Sequence, residues 1–302
     1  MSNSSKNKNL IHNSKNAVVV TAIGNSKMWD IGKKSIEKFC KKYNIAFEII
    51  TEKKYATEYA ADDYHYVNFE KNQVYDLFDK YDRILRLDWD IIITPHCPNV
   101  FEIVQEEKIG VVFEDIGSRK KDRLNRIKMI QDQLGDLDWR SDYFNSGVVM
   151  ASKQHREIYK TTPEDVEIVL NLKTPVSKEQ NYLNYKVRKF RFEIYELNYK
   201  YNHTRLFSEP WNGRPERYKS FIIHYAGKKQ EGLKKMRIDY NILFLHKPKP
   251  FDLNNFLKAK FSIVFSLINS SKIIIGNKDL TFMDKIKSIM SILLKKIRKI
   301  FQ

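Results

Sequence analysis

The chain has 302 residues, 42% of them hydrophobic and 30% charged, which is the profile of a globular protein able to bury one large core or two small ones. Lys and Arg total 54 against 37 Asp and Glu, a formal net charge of +17. Such a surface attracts nucleic acid, anionic membrane or phosphorylated small molecules without choosing among them. Two cysteines, Cys40 and Cys97, exclude a disulfide framework or a structural zinc site and suit reduced thiols in a cytoplasmic setting.

Residues 1–16 are polar and read as a mobile tail, with no secretory leader. AVVVTAIG (17–24) reads as a buried strand ending in Gly. The spacing of Ile36, Phe39, Cys40 and Tyr43 predicts a helix over 32–44, and IAFEIIT (45–51) a second strand. VYDLFDKY (74–81) reads as a short helix and RILRLDWDIIIT (83–94) as one continuous third strand. VFEIV (100–104) is a helical turn and IGVVFED (109–115) another strand. Strand alternating with helix predicts an α/β fold: a Rossmann-like, mostly parallel sheet with helices on both faces. Ligands of such sheets sit beyond the carboxyl ends of the strands.

Residues 118–140 are charged enough to read as a surface excursion, helix or loop. YFNSGVVMAS (143–152) is a strand; TPEDVEIVLNL (162–172) and KEQNYLNYKVRKF (178–190) are helices, the first with Pro163 in its opening turn. SFIIHYAG (220–227) is a late apolar run. Residues 17–250 are taken as one α/β domain and 251–302 as a basic, helical C-terminal extension. FSIVFSLI (261–268) is too short to span a bilayer. Within FMDKIKSIMSILLKKIRKIF (282–301), Phe282, Ile286, Ile289, Leu293, Ile297 and Ile300 recur at helical spacing among lysines. That pattern fits an ordinary packing helix or a helix lying peripherally on anionic lipid. No motif supports specific nucleic-acid binding, because aromatic residues are not interleaved with the charge.

RLDWDIII (86–93) sets Asp88 and Asp90 inside apolar strand residues, where two like charges on one face need compensation. A metal ion, a basic partner or water at a strand end would each supply it. A second pair, Asp136 and Asp138 in GDLDW, lies in a polar segment and reads as a solvated loop. Asn145 and Gly147, in YFNSGVV, offer a short amide and an unobstructed backbone ahead of a strand, though a plain turn needs the same residues. His224 closes the apolar run FIIHYAG. A lone histidine there is commonly a satisfied core residue, but here it would complete an oxygen-rich set for Mn²⁺ or Mg²⁺, the imidazole favouring Mn²⁺.

The order YDRILRLDWDIIIT, NVFEI, YFNSGVVM, EQNYLN and IIHYAG resembles the GT-A glycosyltransferases, most closely those of family 8, over about residues 17–232. The resemblance implies a nucleotide-sugar donor, uridine-linked, a glycan or lipid-linked acceptor, and retention of anomeric configuration. It implies that Asp88 and Asp90 make the metal and ribose contacts with His224 as third protein ligand. Thr21, Ala22 and Ile23 then correspond to the base edge, Lys71 to a basic position facing the donor, and Asn145 to the residue holding the donor sugar. Glu179 and Gln180 correspond to an Asp-Gln pair beside the anomeric carbon. The chain departs from the pattern in three places: Glu179 replaces Asp, Trp89 stands where a small residue is usual, and HYAGKKQEG lacks the usual ending. Gly227 with Lys228 or Lys229 is left to meet the diphosphate. Two other readings of the carboxylates and the charge are a metal-dependent nucleotidyltransferase and a non-catalytic basic protein that binds lipid or nucleic acid.

Overall fold

A computed structural model describes residues 14–24, 26–55, 68–174, 177–209, 216–227 and 229–246. The chain divides between Lys247 and Pro248, and every described residue belongs to the first unit; residues 1–13 and the whole extension 251–302 lie outside the description. No described helix is long and apolar enough to cross a membrane.

β1 (Asn16–Thr21) leads into α1 (Lys27–Tyr43) and β2 (Ala46–Ile50). α1 starts earlier than periodicity suggests because Ser26 caps it: its side chain accepts from the Met28 N–H, a contact type that stabilises a helix by about 1 kcal/mol. It stops at Asn44, which takes a left-handed conformation (φ 53°). A 3-10 turn, Glu70–Gln73, precedes the single-turn α2 (Val74–Leu77). Then come β3 (Arg83–Leu87), β4 (Ile91–Ile93), β5 (Ile109–Val111), α3 (Lys120–Leu134) and β6 (Val148–Ser152). α4 (Pro163–Asn171), α5 (Lys178–Lys189), β7 (Ile194–Glu196), β8 (Ile222–His224) and α6 (Lys229–Leu245) complete the described chain.

Six strands form the main sheet in the order β2-β1-β3-β6-β5-β7. The β1–β2, β1–β3 and β5–β7 pairings are parallel; β6 alone runs against both of its neighbours. The sheet is thus mostly parallel, as expected, with one reversed strand inside it. Alternation along β1 sends Val18 and Val20 to a cluster containing Ile36 and Phe39 of α1. Ala17 and Val19 go to a second cluster containing Leu183 and Val187 of α5. Helices on both faces are why these strands read as unbroken apolar runs.

Two expectations need correction. Residues 83–94 are two strands, not one. β3 ends at Leu87, and β4 pairs antiparallel with β8 in a separate two-stranded sheet. The segment 118–140 is not merely a surface excursion. α3 buries Arg123, Arg126, Ile127, Ile130 and Gln131, with Ile127 and Ile130 packed beside Trp139, Val166 and Val169. Burial of Arg123 is compensated by Glu114, also buried, at 2.7 Å.

The small sheet is held from outside by α6. Asp239, fully buried, accepts from Arg217 Nε at 2.7 Å and Nη2 at 2.8 Å, from Tyr225 at 2.7 Å and from Tyr218 at 2.9 Å. Four donors on one carboxylate fasten α6 to Tyr225, immediately after β8, and to Arg217 and Tyr218 ahead of that strand.

Candidate active site

The reversal of β6 determines what meets at one edge of the sheet. Because β1 and β3 are parallel, with Val20 opposite Leu87, Thr21 and Asp88 leave the sheet side by side. Because β6 is antiparallel, with Val148 opposite Leu87, its entry segment Asn145–Gly147 arrives at the same edge. The Asp88 N–H donates to the Gly147 carbonyl at 2.8 Å. Two residues on, the Tyr225 N–H donates to the Asp90 carbonyl at 2.9 Å. Asp88-Trp89-Asp90 is therefore a corner stitched to the large sheet at one end and to the small sheet at the other.

Ligand atoms of Asp88, Asp90 and His224 all lie within 4.8 Å of one another. His224 Nε2 is 3.2 Å from Asp90 Oδ1 and 3.7 Å from Asp88 Oδ2. The other oxygen of Asp88 is 2.8 Å from Lys71 Nζ, delivered by the 3-10 turn before α2. Burial alone would raise the Asp88 pKa, but Lys71, His224 and Arg86 outweigh it and hold the carboxyl well below the ordinary carboxylate range. Burial likewise opposes charge on Lys71 and His224. Asp88 and Glu179 nonetheless raise the lysine, and Asp90 and Asp88 raise the imidazole.

Space at the corner is closely shared. A Cβ on Gly147 would come within 2.3 Å of His224 Cε1, so only glycine lets the imidazole lie over this turn. A Cβ on Gly32 would meet the carbonyl oxygens of Ile91 at 2.8 Å and Trp89 at 3.0 Å. α1 thus rests directly on the corner. Trp89 turns away from the carboxylates and packs on the apolar cluster beneath α1.

Asn145 Nδ2 donates to Gln180 Oε1 at 3.2 Å, while its Oδ1 accepts from the Gly147 N–H at 2.9 Å and from Asn202 at 2.9 Å. Gln180, on the first turn of α5, also accepts from the Ser146 N–H at 2.9 Å. Its amide nitrogen donates to Glu114 at 3.2 Å and to Tyr143 at 3.0 Å, so both halves of the amide are engaged within the protein. Glu179 is buried, 3.9 Å from Arg86 and 3.5 Å from the Ser146 hydroxyl.

The residues singled out from sequence thus divide. Asp88, Asp90, His224, Lys71, Asn145 and Gln180 converge through contacts. Thr21, Ala22 and Ile23 stand at the adjoining end of β1, where the Thr21 hydroxyl is buried without a hydrogen bond among the described residues. Gly227 follows β8 with φ 112°. Lys228 and the side chain of Lys229 lie outside the described residues. Arg86, Asn202 and the Glu114–Arg123 pair belong to the same network, and sequence reading missed them. Alternation along RILRLD could have flagged Arg86, a charge on a buried face; Asn202, which closes the 3-10 turn Tyr199–Tyr201 after β7, carries no such signal.

The sequence profile of glycosyl transferase family 8 matches residues 3–230. The chain belongs to that family. Among solved structures this family 8 chain is similar to a glycosyltransferase involved in glycosylation of the major capsid of PBCV-1, at 11% identity and TM-score 0.49, over 74% of this chain and 98% of that one. The apo-form glycosyltransferase GlyE of Streptococcus pneumoniae TIGR4 is similar at 14% identity and TM-score 0.43, over 78% of this chain and 63% of GlyE. A second GlyE structure gives 13% identity and TM-score 0.48, over 80% and 66%. This chain thus spans less than two thirds of GlyE. No curated protein matches significantly in sequence. As a family 8 member the chain is a glycosyltransferase of GT-A fold. The solvated pair Asp136 and Asp138 takes no part in its site: both bond to Arg140 at the surface.

Proposed function

We propose that this glycosyltransferase moves a sugar from a uridine diphosphate sugar to a glycan or lipid-linked acceptor, with retention of configuration, using Mn²⁺ or Mg²⁺. One observation carries the reading: two carboxylates and one imidazole nitrogen converge within 4.8 Å at the carboxyl edge of the sheet. That donor set fits a hard divalent cation, leaves positions for diphosphate oxygens, and through the imidazole favours Mn²⁺. When bound, the ion neutralises charge developing on the leaving diphosphate.

The chain's own residues do the rest in this reading. Asp88, Asp90 and His224 hold the cation, and Asp88 also meets the ribose. Lys71, already 2.8 Å from Asp88, adds a second fixed positive charge beside the diphosphate. Thr21, Ala22 and Ile23 receive the base, with the unpaired Thr21 hydroxyl as the available polar group. Trp89 lends its backbone at the corner, and Gly227 with Lys228 or Lys229 faces the phosphates. Asn145 holds the donor sugar and Gln180 holds Asn145, while Glu179 faces the anomeric carbon from the same helix turn. Calorimetry of uridine diphosphate with and without Mn²⁺ tests the reading. Binding should require the ion; no binding, or equal binding without it, overturns the proposal. Release of diphosphate from a nucleoside triphosphate would point to nucleotidyl transfer instead.

The extension 251–302 enters through its sequence alone, as a peripheral contact with an anionic membrane that bears a lipid-linked acceptor. Each of the six Lys or Arg in 282–302 contributes about 1 kcal/mol near such a surface. Deleting 282–302 should release the protein from phosphatidylserine vesicles and leave donor hydrolysis nearly intact. Undiminished vesicle binding removes the membrane from the proposal.

A further inference from the structure

Asn202 touches two site residues from the end of a 3-10 turn, Tyr199–Tyr201, next to the bridge between His203 and Ile223. Its Nδ2 donates to Asn145 Oδ1 at 2.9 Å, and its Oδ1 lies 2.9 Å from His224 Nδ1. Asn202 is fully buried and His224 nearly so, which shields both contacts from bulk water.

Amide orientations are ambiguous until something unambiguous fixes them. Here backbone N–H groups, which can only donate, do so twice. The Ser146 N–H points at Gln180 at 2.9 Å, so the facing atom must be the oxygen, Oε1. Glu114 accepts from the other side of the same amide at 3.2 Å and agrees with that choice. Asn145 therefore turns its NH₂ toward Gln180. Independently, the Gly147 N–H points at Asn145 from 2.9 Å, so the facing atom there is Oδ1. An oxygen so placed requires a donor from Asn202, which must present its NH₂ to Asn145 and its oxygen to His224. An oxygen facing Nδ1 at 2.9 Å requires a proton on Nδ1. The lone pair of the neutral ring is then on Nε2, the nitrogen 3.2 Å from Asp90 and 3.7 Å from Asp88.

We propose that Asn202 is a positioning residue that locks His224 in the Nδ1–H tautomer, so that Nε2 is the only ring nitrogen able to take a divalent cation between Asp88 and Asp90. This rests on the metal reading above for its purpose but not for its geometry. Asn202 acts on the ion through His224 and on the donor-sugar residue Asn145 at once. An asparagine, with one donor and one acceptor, serves both; an aspartate would serve only the histidine.

The deciding measurement is ¹⁵N NMR of the histidine ring in the metal-free full-length protein, at alkaline pH where the ring is neutral. His224 should carry its proton on Nδ1; a proton on Nε2 overturns the proposal without any variant being made. In Asn202→Ala the preference for Nδ1–H should be lost and Mn²⁺ affinity, read by electron paramagnetic resonance of free Mn²⁺, should fall about 10- to 100-fold. Asn202→Asp keeps an acceptor for Nδ1–H and should hold Mn²⁺ to within about threefold of wild type while raising KM for the sugar donor, because its carboxylate repels Asn145 Oδ1. An alanine variant with unchanged tautomer and unchanged Mn²⁺ affinity refutes the assignment. If the wild-type protein takes up no Mn²⁺, the metal reading fails while the ring tautomer still decides the role of Asn202.

Discussion

The chain contains two Asp-x-Asp sequences followed closely by β-formers or aromatics, and the two have opposite fates. In GDLDW, Asp136 and Asp138 sit in water and bond to Arg140 at 2.9 Å and 3.0 Å. A hydrogen bond from that arginine brings Asp136 down to about 2. In RLDWD, Asp88 is also strongly acidic, but against burial, with Lys71, His224 and Arg86 supplying the opposing charge. A depressed carboxylate pKa therefore does not mark a site. What separates the pairs is where most of the compensating charge comes from: a neighbour four residues away in the loop, or Lys71 and His224, brought from distant parts of the chain to join the adjacent Arg86. The second arrangement costs folding energy to assemble and leaves the carboxylates aimed at a common point.

The comparison breaks most visibly in activity. Asp90→Ala should lower sugar transfer by about 10²- to 10³-fold or more with the fold intact by circular dichroism, whereas Asp136→Ala with Asp138→Ala should leave it within about twofold. Residual transfer near wild type in Asp90→Ala removes that residue from the ligand set. The arginines sharpen the contrast next. Arg123, buried against Glu114, should cost about 3–5 kcal/mol in urea unfolding when changed to Ala, since buried Glu114 loses its cation and keeps a neutral amide, that of Gln180, as donor. Arg140→Ala, at an exposed pair, should leave the urea midpoint nearly unchanged. Equal losses for the two would mean that the α3 pair is solvated after all.

A smaller effect separates the histidines. His155 is buried at the start of the turn after β6; Nδ1 faces the Ser152 N–H and Nε2 the Glu107 carbonyl, each at 3.1 Å. The first nitrogen must accept and the second donate, so the ring is neutral with its proton on Nε2, the opposite tautomer to that inferred for His224. Burial lowers its pKa, with Arg83 adding to the effect and the Glu107 bond opposing it. A group with a lowered folded pKa contributes stability that is complete above its ordinary pKa, about 6.5 for histidine, and is lost as pH falls through the folded value. Urea midpoints measured from pH 7.5 down to 5 should therefore drop less in His155→Gln than in wild type. An identical pH profile would show that the ring is protonated without penalty.

The order and type of most elements were legible because apolar periodicity is local. β1, β2, α4 and α5 lie within a few residues of where their spacing puts them. The break after Leu87 was not legible: RILRLDWDIII alternates as one strand, and nothing in it announces that Ile91 will pair with His224 in a second sheet rather than continue in the first. The direction of β6 was hidden for a similar reason, since parallel and antiparallel neighbours bury the same residues. Charge misled in α3, where Arg123 looks solvated until Glu114, in another segment, is brought beside it. At the site, residue types that stand out chemically were found, while Asn202 was missed because its importance lies wholly in what it touches.

The corner between the two sheets carries a last consequence. His224 belongs to a ladder only three residues long on each strand, a length that does not persist on its own and here leans on Met28 of α1 and Met236 of α6. Asp88 emerges from the far more extensive sheet. An ion held by both would tie the short ladder to the large sheet, so its binding energy would act on local opening of that ladder rather than spread over the whole fold. Amide hydrogens of Ile92, Ile223 and His224 would then exchange more slowly on loading with Mg²⁺, while those of Val18 to Val20, in the middle of the main sheet, would keep their rates.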